Sequence, residues 1–287
     1  IDKYVGDMIM AFWGAPLEDP DHRRHGVVSA LQMLDKAQEL SDDFVARGKH
    51  AVAIGVGLNT GVMNVGDMGS EYRRSYTVIG DAVNLGSRLE GLTKFYGVKL
   101  IVSETTREGL DDMVFRQLDR VKVKGKTEPV TIYEPMGMKA DMSAAQLDVI
   151  DAYHAAHEHY MQGDWAAAEQ GYDVALRLAE EFDDERWRAA VAANRSRLHT
   201  FRGRIDEARR ALDLTQRSKA LQSRHLEGLT NHVRVELVSA ARCQLEEVAL
   251  GLPEVGDSGT HEVQHRGRHL DVLDDLSGDP EIGRAHV

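Results

Sequence analysis

The spacing of apolar residues changes near residue 145, and this change constrains the fold of the chain more than any other feature. Up to about Gly137, short apolar runs alternate with helical patterns and glycine turns, which is typical of a mixed αβ region. From Ala145 onwards the apolar spacing is helical. The sequence therefore predicts an α+β region over 1–137, followed by an α-helical region over 145–200.

Charge and cysteine content exclude several classes of protein. The 287 residues carry a formal net charge of −12 and one cysteine, Cys243. Nucleic acids repel net negative charge, so no nucleic acid is expected among the partners. A single cysteine excludes an internal disulfide framework and a cysteine zinc site. The longest unbroken apolar run, Met8–Trp13, is shorter than the ~20 residues that a membrane-spanning helix needs.

In the first region, periodicity and turn residues predict short strands and two longer helices. We expect two hairpins, one of Ile1–Val5 and Met8–Trp13 around Gly6-Asp7, and one of Phe115–Val123 and Val130–Tyr133. Two helices are expected: the first begins with Asp19 as N-cap and Pro20, and the second covers Asp81–Tyr96 and is ended by Gly97. Further strands are expected over Ala51–Thr60, Tyr76–Ile79 and Val98–Val102, with a turn-rich stretch over Gly61–Gly69.

The second region is predicted to form a helical hairpin of Leu147–Met161 and Trp165–Glu181, with a third helix over Glu185–Leu198. The spacing of its aromatic and small residues resembles one tetratricopeptide-type unit, and an ordinary helical appendage is the alternative. No aromatic residue follows Phe201. Two interpretations of the tail over 201–287 stay open: a disordered segment, and a segment that is not native protein.

Three blocks carry residues suited to phosphate chemistry. The block KYVGD over Lys3–Asp7 places Asp7 at a hairpin turn, where it could bind magnesium or satisfy its own turn. In a second block, Asn84 and Arg88 lie four residues apart on one helix and share a face. They could meet a ribose oxygen and a phosphoryl group, or Arg88 could pair with a carboxylate. Lys124 and Lys126 flank a glycine and could bind phosphates or stay solvated.

Together these blocks resemble the class III adenylate and guanylate cyclase catalytic domain. The most specific part is the string YTVIGDAVNLGSRLE over Tyr76–Glu90, and the order and spacing of all three blocks agree over roughly 1–137. The resemblance implies a ferredoxin-like α+β domain. In this family a first metal-binding aspartate lies on a strand upstream of the hairpin, so the domain is expected to be incomplete, to lack that aspartate, and to be inactive alone.

The resemblance also implies the roles of individual residues. Lys3 and Thr77 correspond to the pair that reads the purine. Asn84 corresponds to the residue that orients the ribose, and Arg88 to the residue that stabilises charge on the α-phosphate. Lys124 corresponds to the lysine that holds the terminal phosphates.

Asp7 corresponds to one of the two aspartates that bind a pair of Mg²⁺ or Mn²⁺ ions. The family's active site forms between two protomers, so a homodimer is expected. The metal residues would come from one protomer and the Asn84–Arg88 pair from the other.

Hydrogen bonding favours ATP over GTP. Adenine offers an acceptor at N1 and a donor at N6, which match a lysine donor at Lys3 and a hydroxyl acceptor at Thr77. Guanine places a donor at N1, and an unmatched buried polar group costs about 1–3 kcal/mol. Guanylate cyclases of this family usually have a carboxylate at the Lys3 position, which supports the same choice.

The predicted function is therefore an adenylate cyclase, a phosphorus–oxygen lyase that converts ATP to 3′,5′-cyclic AMP and pyrophosphate. The alternative is a non-catalytic cyclase-homology module that binds a nucleotide or a partner. The nearest resemblance is to bacterial signalling cyclases whose catalytic region is cytoplasmic, so the parent protein is expected in the inner membrane, anchored upstream. A protein-interaction scaffold built on the helical region is a third possibility.

Histidines outside these blocks are weaker candidates. His261, His265 and His269 recur every four residues and could share a helical face as metal ligands do. The simpler interpretation is that they do not bind metal. His154 and His157 are expected on a solvated or interface face of the helical hairpin.

Overall fold

The computed structural model describes residues 1–122, 128–181, 185–204 and 206–211. The strands are β1 (Lys3–Val5), β2 (Met8–Met10), β3 (Val56–Leu58), β4 (Asn64–Ser70), β5 (Arg73–Ile79), β6 (Leu100–Ser103), β7 (Met113–Val121) and β8 (Val130–Met138). The helices are α1 (His22–Ala46), α2 (Asp81–Tyr96), α3 (Glu104–Arg107), α4 (Ala144–Gln162), α5 (Trp165–Glu181) and α6 (Glu185–Phe201).

The described strands form three sheets. The largest has the order β3-β6-β8-β7, in which β3 and β6 are parallel and the other neighbours are antiparallel. Strands β1 and β2 form an antiparallel pair, and β4 and β5 form another. The predicted α+β architecture is confirmed, with a mixed sheet at its centre. The ferredoxin-like strand order stays a prediction, as do the domain boundaries.

Helices α1 and α2 pack on opposite faces of the four-stranded sheet. Successive side chains of a strand point to opposite faces. Accordingly, Ile101 of β6 belongs to the same buried cluster as Leu89 of α2, whereas Leu100 and Val102 belong to the cluster that contains Val27 of α1. One core therefore fixes α2 on one face of the sheet, and the other fixes α1 on the opposite face.

A glycine of β3 lets α2 lie directly on that strand. A Cβ atom at Gly57 would overlap the backbone nitrogen of Glu90 and the carbonyl oxygen of Gly86. The helix ends as predicted at Gly97, whose φ of 64° lies in the left-handed region that glycine adopts readily. The predicted bounds of this helix are confirmed at both ends.

Helices α4, α5 and α6 pack together and against the sheet. Ser143 begins α4 with a capping box, in which its hydroxyl accepts from the Gln146 backbone and the Gln146 side chain accepts from the Ser143 backbone. The core that the three helices share includes Val114 of β7. The helical hairpin is confirmed, and its likeness to a tetratricopeptide unit stays a prediction.

The predicted start of the first helix is wrong. Helix α1 begins at His22 with Asp21 as its N-cap, and Asp21 makes no side-chain capping bond. Asp19 instead accepts a hydrogen bond from the Asp21 backbone and contacts the His25 ring. The Asp19 side chain is therefore used in the turn that precedes the helix.

Two strand predictions also need correction. The strand expected over Ala51–Thr60 is confined to Val56–Leu58, where β6 supplies a partner. The stretch over Gly61–Gly69, expected to be turns, contains most of β4, because β5 pairs with it residue by residue.

In the part of the chain that the structure describes, no helix combines the length and apolar character needed to cross a membrane.

Candidate active site

Lys3 and Thr77, the predicted purine-reading residues, meet at the carboxylate of Asp2. The Thr77 hydroxyl donates a hydrogen bond to Asp2 Oδ2 at 2.6 Å. The Lys3 ammonium nitrogen lies 3.6 Å from the same oxygen. The Asp2 backbone nitrogen donates to the Met10 carbonyl, which ties this carboxylate to the β1–β2 hairpin. One carboxylate oxygen thus joins a strand of the hairpin to β5.

Asp2 is the residue of this candidate site that the sequence did not reveal. Its side chain is fully buried, whereas the Lys3 side chain is 39% exposed. The second carboxylate oxygen of Asp2 is also buried and has no hydrogen-bond partner among the described residues. The sequence signal is an aspartate directly before a lysine at the start of a strand. That signal does not show that Thr77, 75 positions later, is its partner.

Asn84 and Arg88 lie one helical turn apart on α2, as predicted. Asn84 is exposed, and Arg88 is partly buried. The Arg88 Nη1 atom is buried and has no hydrogen-bond partner among the described residues. A buried guanidinium nitrogen without an acceptor is uncommon, and carboxylates and phosphates are its strongest partners.

A cavity of about 390 Å³ lies at the start of α2. Its lining comprises Val78, Ile79, Gly80, Asp81, Val83 and Asn84. It therefore lies between the end of β5, which carries Thr77, and the first turn of α2.

Asp7 is exposed in the turn between β1 and β2. Within the described ranges, no group of three His, Cys, Asp or Glu side chains could hold a metal ion. Magnesium at nucleotide sites is usually held by one or two carboxylates together with substrate phosphates. Asp7 therefore fits as one oxygen ligand of a cation that arrives with a nucleotide.

The structure brings some of the predicted residues together. Lys3 lies with Thr77, and Asn84 lies with Arg88. In the described part of the chain, no hydrogen bond or ion pair joins Asp7 to either pair. Lys124 lies outside the described residues, as does Lys126.

The histidines of α4 lie at the interface between helices and sheet. His154 Nε2 accepts a hydrogen bond from the Gln117 backbone of β7 at 3.2 Å. His157 Nδ1 lies 3.0 Å from the Tyr172 hydroxyl of α5. Burial lowers the pKa of His157 to about 4, although the Asp119 carboxylate acts in the opposite direction. These two histidines are interface residues, and the histidines predicted after residue 260 lie outside the described residues.

Comparison with known proteins identifies the region that holds these residues. The family model described as the adenylate and guanylate cyclase catalytic domain matches residues 3–134. Adenylate cyclase 1 of Rhizobium meliloti is 35% identical over 139 residues, which cover 48% of this chain and 21% of that protein. An adenylate cyclase of Anabaena cylindrica is 40% identical over 139 residues, which cover 47% of this chain and 27% of that protein. The matched region is thus about a quarter of these relatives' length.

A crystal structure of the adenylyl cyclase CyaB from P. aeruginosa is similar at 31% identity and a TM-score of 0.45, over 50% of this chain and 74% of that one. The matched residues 3–134 include the hairpin of Lys3 and Asp7, the strand of Thr77, and the helix of Asn84 and Arg88. Through these residues, the region over 3–134 is similar to the adenylate and guanylate cyclase catalytic domain.

Proposed function

We propose that this chain is the catalytic region of a parent adenylate cyclase, which converts ATP to 3′,5′-cyclic AMP and pyrophosphate. The observation that carries the proposal is the buried Arg88 Nη1 atom, which has no acceptor among the described residues and lies one helical turn from Asn84. A guanidinium in this position suits the charge that develops on a phosphoryl group.

In the proposed reaction, the ribose 3′-oxygen attacks the α-phosphorus of the same nucleotide. A 3′-oxygen–phosphorus bond forms as the 3′-hydroxyl proton passes to water, the bond from that phosphorus to the α–β bridging oxygen breaks, and pyrophosphate leaves with that oxygen. Asn84 holds the ribose, so that the attacking oxygen is aligned. Arg88 donates to the equatorial oxygens of the α-phosphate, and Lys124 holds the terminal phosphates.

A divalent cation, magnesium or manganese, would lower the pKa of the attacking hydroxyl and neutralise the leaving pyrophosphate. Asp7 is the residue of this chain proposed to hold it, and the family's use of two ions is part of the proposal. As the family resemblance implies, we propose that a homodimer completes each site. One protomer would supply Asp7 and its partner the α2 residues.

The choice of ATP rests on Lys3 and Thr77. The ammonium of Lys3 can donate to the N1 acceptor of adenine, and the Thr77 oxygen can accept from the N6 amino group. The Asp2 contacts of both residues support this arrangement, since they place the donor and the acceptor at one point of the fold.

The test is cyclic AMP formation from ATP by the parent protein that contains this chain, in the presence of Mn²⁺, with ATP binding measured in parallel. Replacement of Arg88 by alanine is expected to lower turnover on the order of 10³-fold, as for arginines in other phosphoryl transfers, while ATP binding is largely kept. Asn84→Ala should also lower turnover strongly.

Lys94→Ala is the matched control for the charge change, because Lys94 is an exposed cation on the same helix. Its turnover should equal that of the wild type. Equal cyclic AMP output from Arg88→Ala and wild type would overturn the proposal. ATP binding without any turnover would favour the non-catalytic nucleotide-binding module instead.

A further inference from the structure

We propose that Asp2 is a specificity-determining residue, which makes the Thr77 hydroxyl an acceptor toward the base. It thereby favours 6-amino over 6-oxo purine nucleotides. The inference rests on the proposed function, because it assumes that a nucleotide base lies against Lys3 and Thr77. Asp2 acts through Thr77 and is therefore a positioning residue.

The first step is the direction of the Thr77 hydrogen bond. A threonine hydroxyl has one hydrogen to donate and two lone pairs that accept. In this structure the hydrogen is donated to Asp2 Oδ2 at 2.6 Å, the short distance of a hydroxyl bonded to a carboxylate. Only lone pairs remain on Thr77 Oγ1 for a ligand.

The second step is the burial of the acceptor. The Asp2 side chain is fully buried, and its Oδ1 atom has no hydrogen-bond partner among the described residues. Bulk water therefore does not reach this carboxylate to compete for it. Thr77 itself is 6% exposed, so its hydroxyl is also shielded from water. An alternative rotation of the hydroxyl would leave a buried carboxylate with one donor fewer, which is unfavourable.

The third step is the position of Lys3. Its ammonium nitrogen lies 3.6 Å from the oxygen that receives the Thr77 hydrogen, and its side chain remains 39% exposed. Asp2 therefore holds the Lys3 ammonium beside the Thr77 hydroxyl. The exposed side of that ammonium still has N–H groups that can donate to a ligand. The pair presents one donor and one acceptor, which is the pattern that the N1 and N6 positions of adenine complement.

A 6-oxo base meets the opposite pattern. Its O6 atom is an acceptor and would face the lone pairs of Thr77, so neither atom is satisfied. Without Asp2 the Thr77 hydrogen would be free to turn toward O6. The discrimination at the 6-position should therefore depend on Asp2 and Thr77 together.

The experiment measures the dissociation constants of ATP and inosine triphosphate for the full chain. Inosine triphosphate carries O6 but lacks the 2-amino group of GTP, so it tests the 6-position with fewer other changes. The variant Asp2→Ala is expected to lower the preference for ATP over inosine triphosphate roughly tenfold. Asp2→Leu fills the buried position with an apolar side chain, and it should give the same fall if Asp2→Ala does not fold.

A conservative variant and a double-mutant cycle separate this role from a structural one. Asp2→Asn keeps a carbonyl oxygen that can accept the Thr77 hydrogen, so it should retain most of the ATP preference. In the background of Thr77→Val, which has no hydroxyl, Asp2→Ala should change the ratio of the two dissociation constants less than it does in the wild type, and the change that remains reports the position of Lys3. Circular dichroism of each variant checks that it is folded.

The possible outcomes distinguish the two proposals. A wild-type chain that binds neither nucleotide overturns the proposed function. A wild-type chain that prefers ATP, together with folded Asp2→Ala or Asp2→Leu variants that keep the same preference, overturns the role of Asp2 alone. If Asp2→Ala lowers the preference for ATP over inosine triphosphate equally with and without the Thr77 hydroxyl, that result also overturns the role of Asp2.

Discussion

Arg116 of β7 and Glu134 of β8 are cross-strand neighbours whose side chains form a buried salt bridge. The Arg116 Nη2 and Nε atoms lie 2.7 and 3.0 Å from Glu134 Oε2, and the two side chains are 6% and 5% exposed. Burial opposes the charge of Arg116 and is the largest single effect, but the combined attraction and hydrogen bonding of Glu134 and Tyr153 outweigh it and raise the pKa of the guanidinium. The guanidinium also lies 5.9 Å from the Tyr153 ring centroid, so the pair is located where the sheet meets α4.

Removing one partner of this pair should destabilise the fold. Glu134→Leu leaves a buried guanidinium without its carboxylate, which should lower the free energy of unfolding by about 3–5 kcal/mol. The double variant Arg116→Met/Glu134→Leu removes both charges and should regain most of that loss. Urea unfolding measures all three proteins. As a control, Glu39→Gln removes the carboxylate of the exposed Lys36–Glu39 pair and should have little effect. A single variant as stable as the double variant would contradict this account.

The sequence predicted the long regular elements and missed those that depend on distant pairing. The bounds of α2 and α5 match the prediction, because apolar periodicity and glycine ends are local signals. Strand β4 was predicted as turns, since its glycines are local turn signals, while its hydrogen bonds come from β5. The start of α1 was misplaced because Asp19 contacts His25 rather than the first turn of the helix.

The same limit applies to the candidate site. Asn84 and Arg88 could be placed on one face from their spacing alone, since four residues make about one helical turn. The pairing of Lys3 with Thr77 was predicted from the family resemblance. Its physical basis is the buried Asp2 carboxylate, which only the structure shows. A contact between positions 75 residues apart depends on how a hairpin lies against another strand, which periodicity does not encode.

Gly57 is predicted to be indispensable for the position of α2. In Gly57→Ala the new methyl group would overlap backbone atoms of Gly86 and Glu90, which cannot rotate away as a side chain could. The variant should lose about 1–3 kcal/mol of unfolding free energy. Gly91 in the same helix is the matched control, since a Cβ atom there meets nothing within 4 Å. Gly91→Ala should stabilise by about 0.5–1 kcal/mol, as measured by urea unfolding. Equal effects of the two variants would refute the proposed contact.

Reversing the charge at Lys3 should change the preferred nucleotide. In Lys3→Glu the donor to adenine N1 is replaced by an acceptor, which matches the N1 donor of guanine. ATP binding should weaken by roughly tenfold to a hundredfold, and GTP binding should strengthen relative to ATP. Titrations of both nucleotides measure the ratio, and Lys94→Glu on the exposed side of α2 controls for the added negative charge. Parallel losses for both nucleotides would show that Lys3 does not read the base.

His157 should make the stability of the fold depend on pH. Burial among α4 and α5 lowers its pKa in the folded chain to about 4, from an ordinary value of 6.5. Between these values the unfolded chain binds a proton that the folded chain does not, so stability is fully present above pH 6.5 and is lost as the pH falls toward 4. The shift corresponds to about 3 kcal/mol.

His157→Phe keeps a ring against Tyr153 and Tyr160 but cannot titrate, so its unfolding free energy should fall less over this range. Urea unfolding at pH 7 and pH 4.5 gives the comparison, with His159→Gln on an exposed part of α4 as the control for loss of a histidine. The same pH dependence in His157→Phe and wild type would assign the effect to other groups.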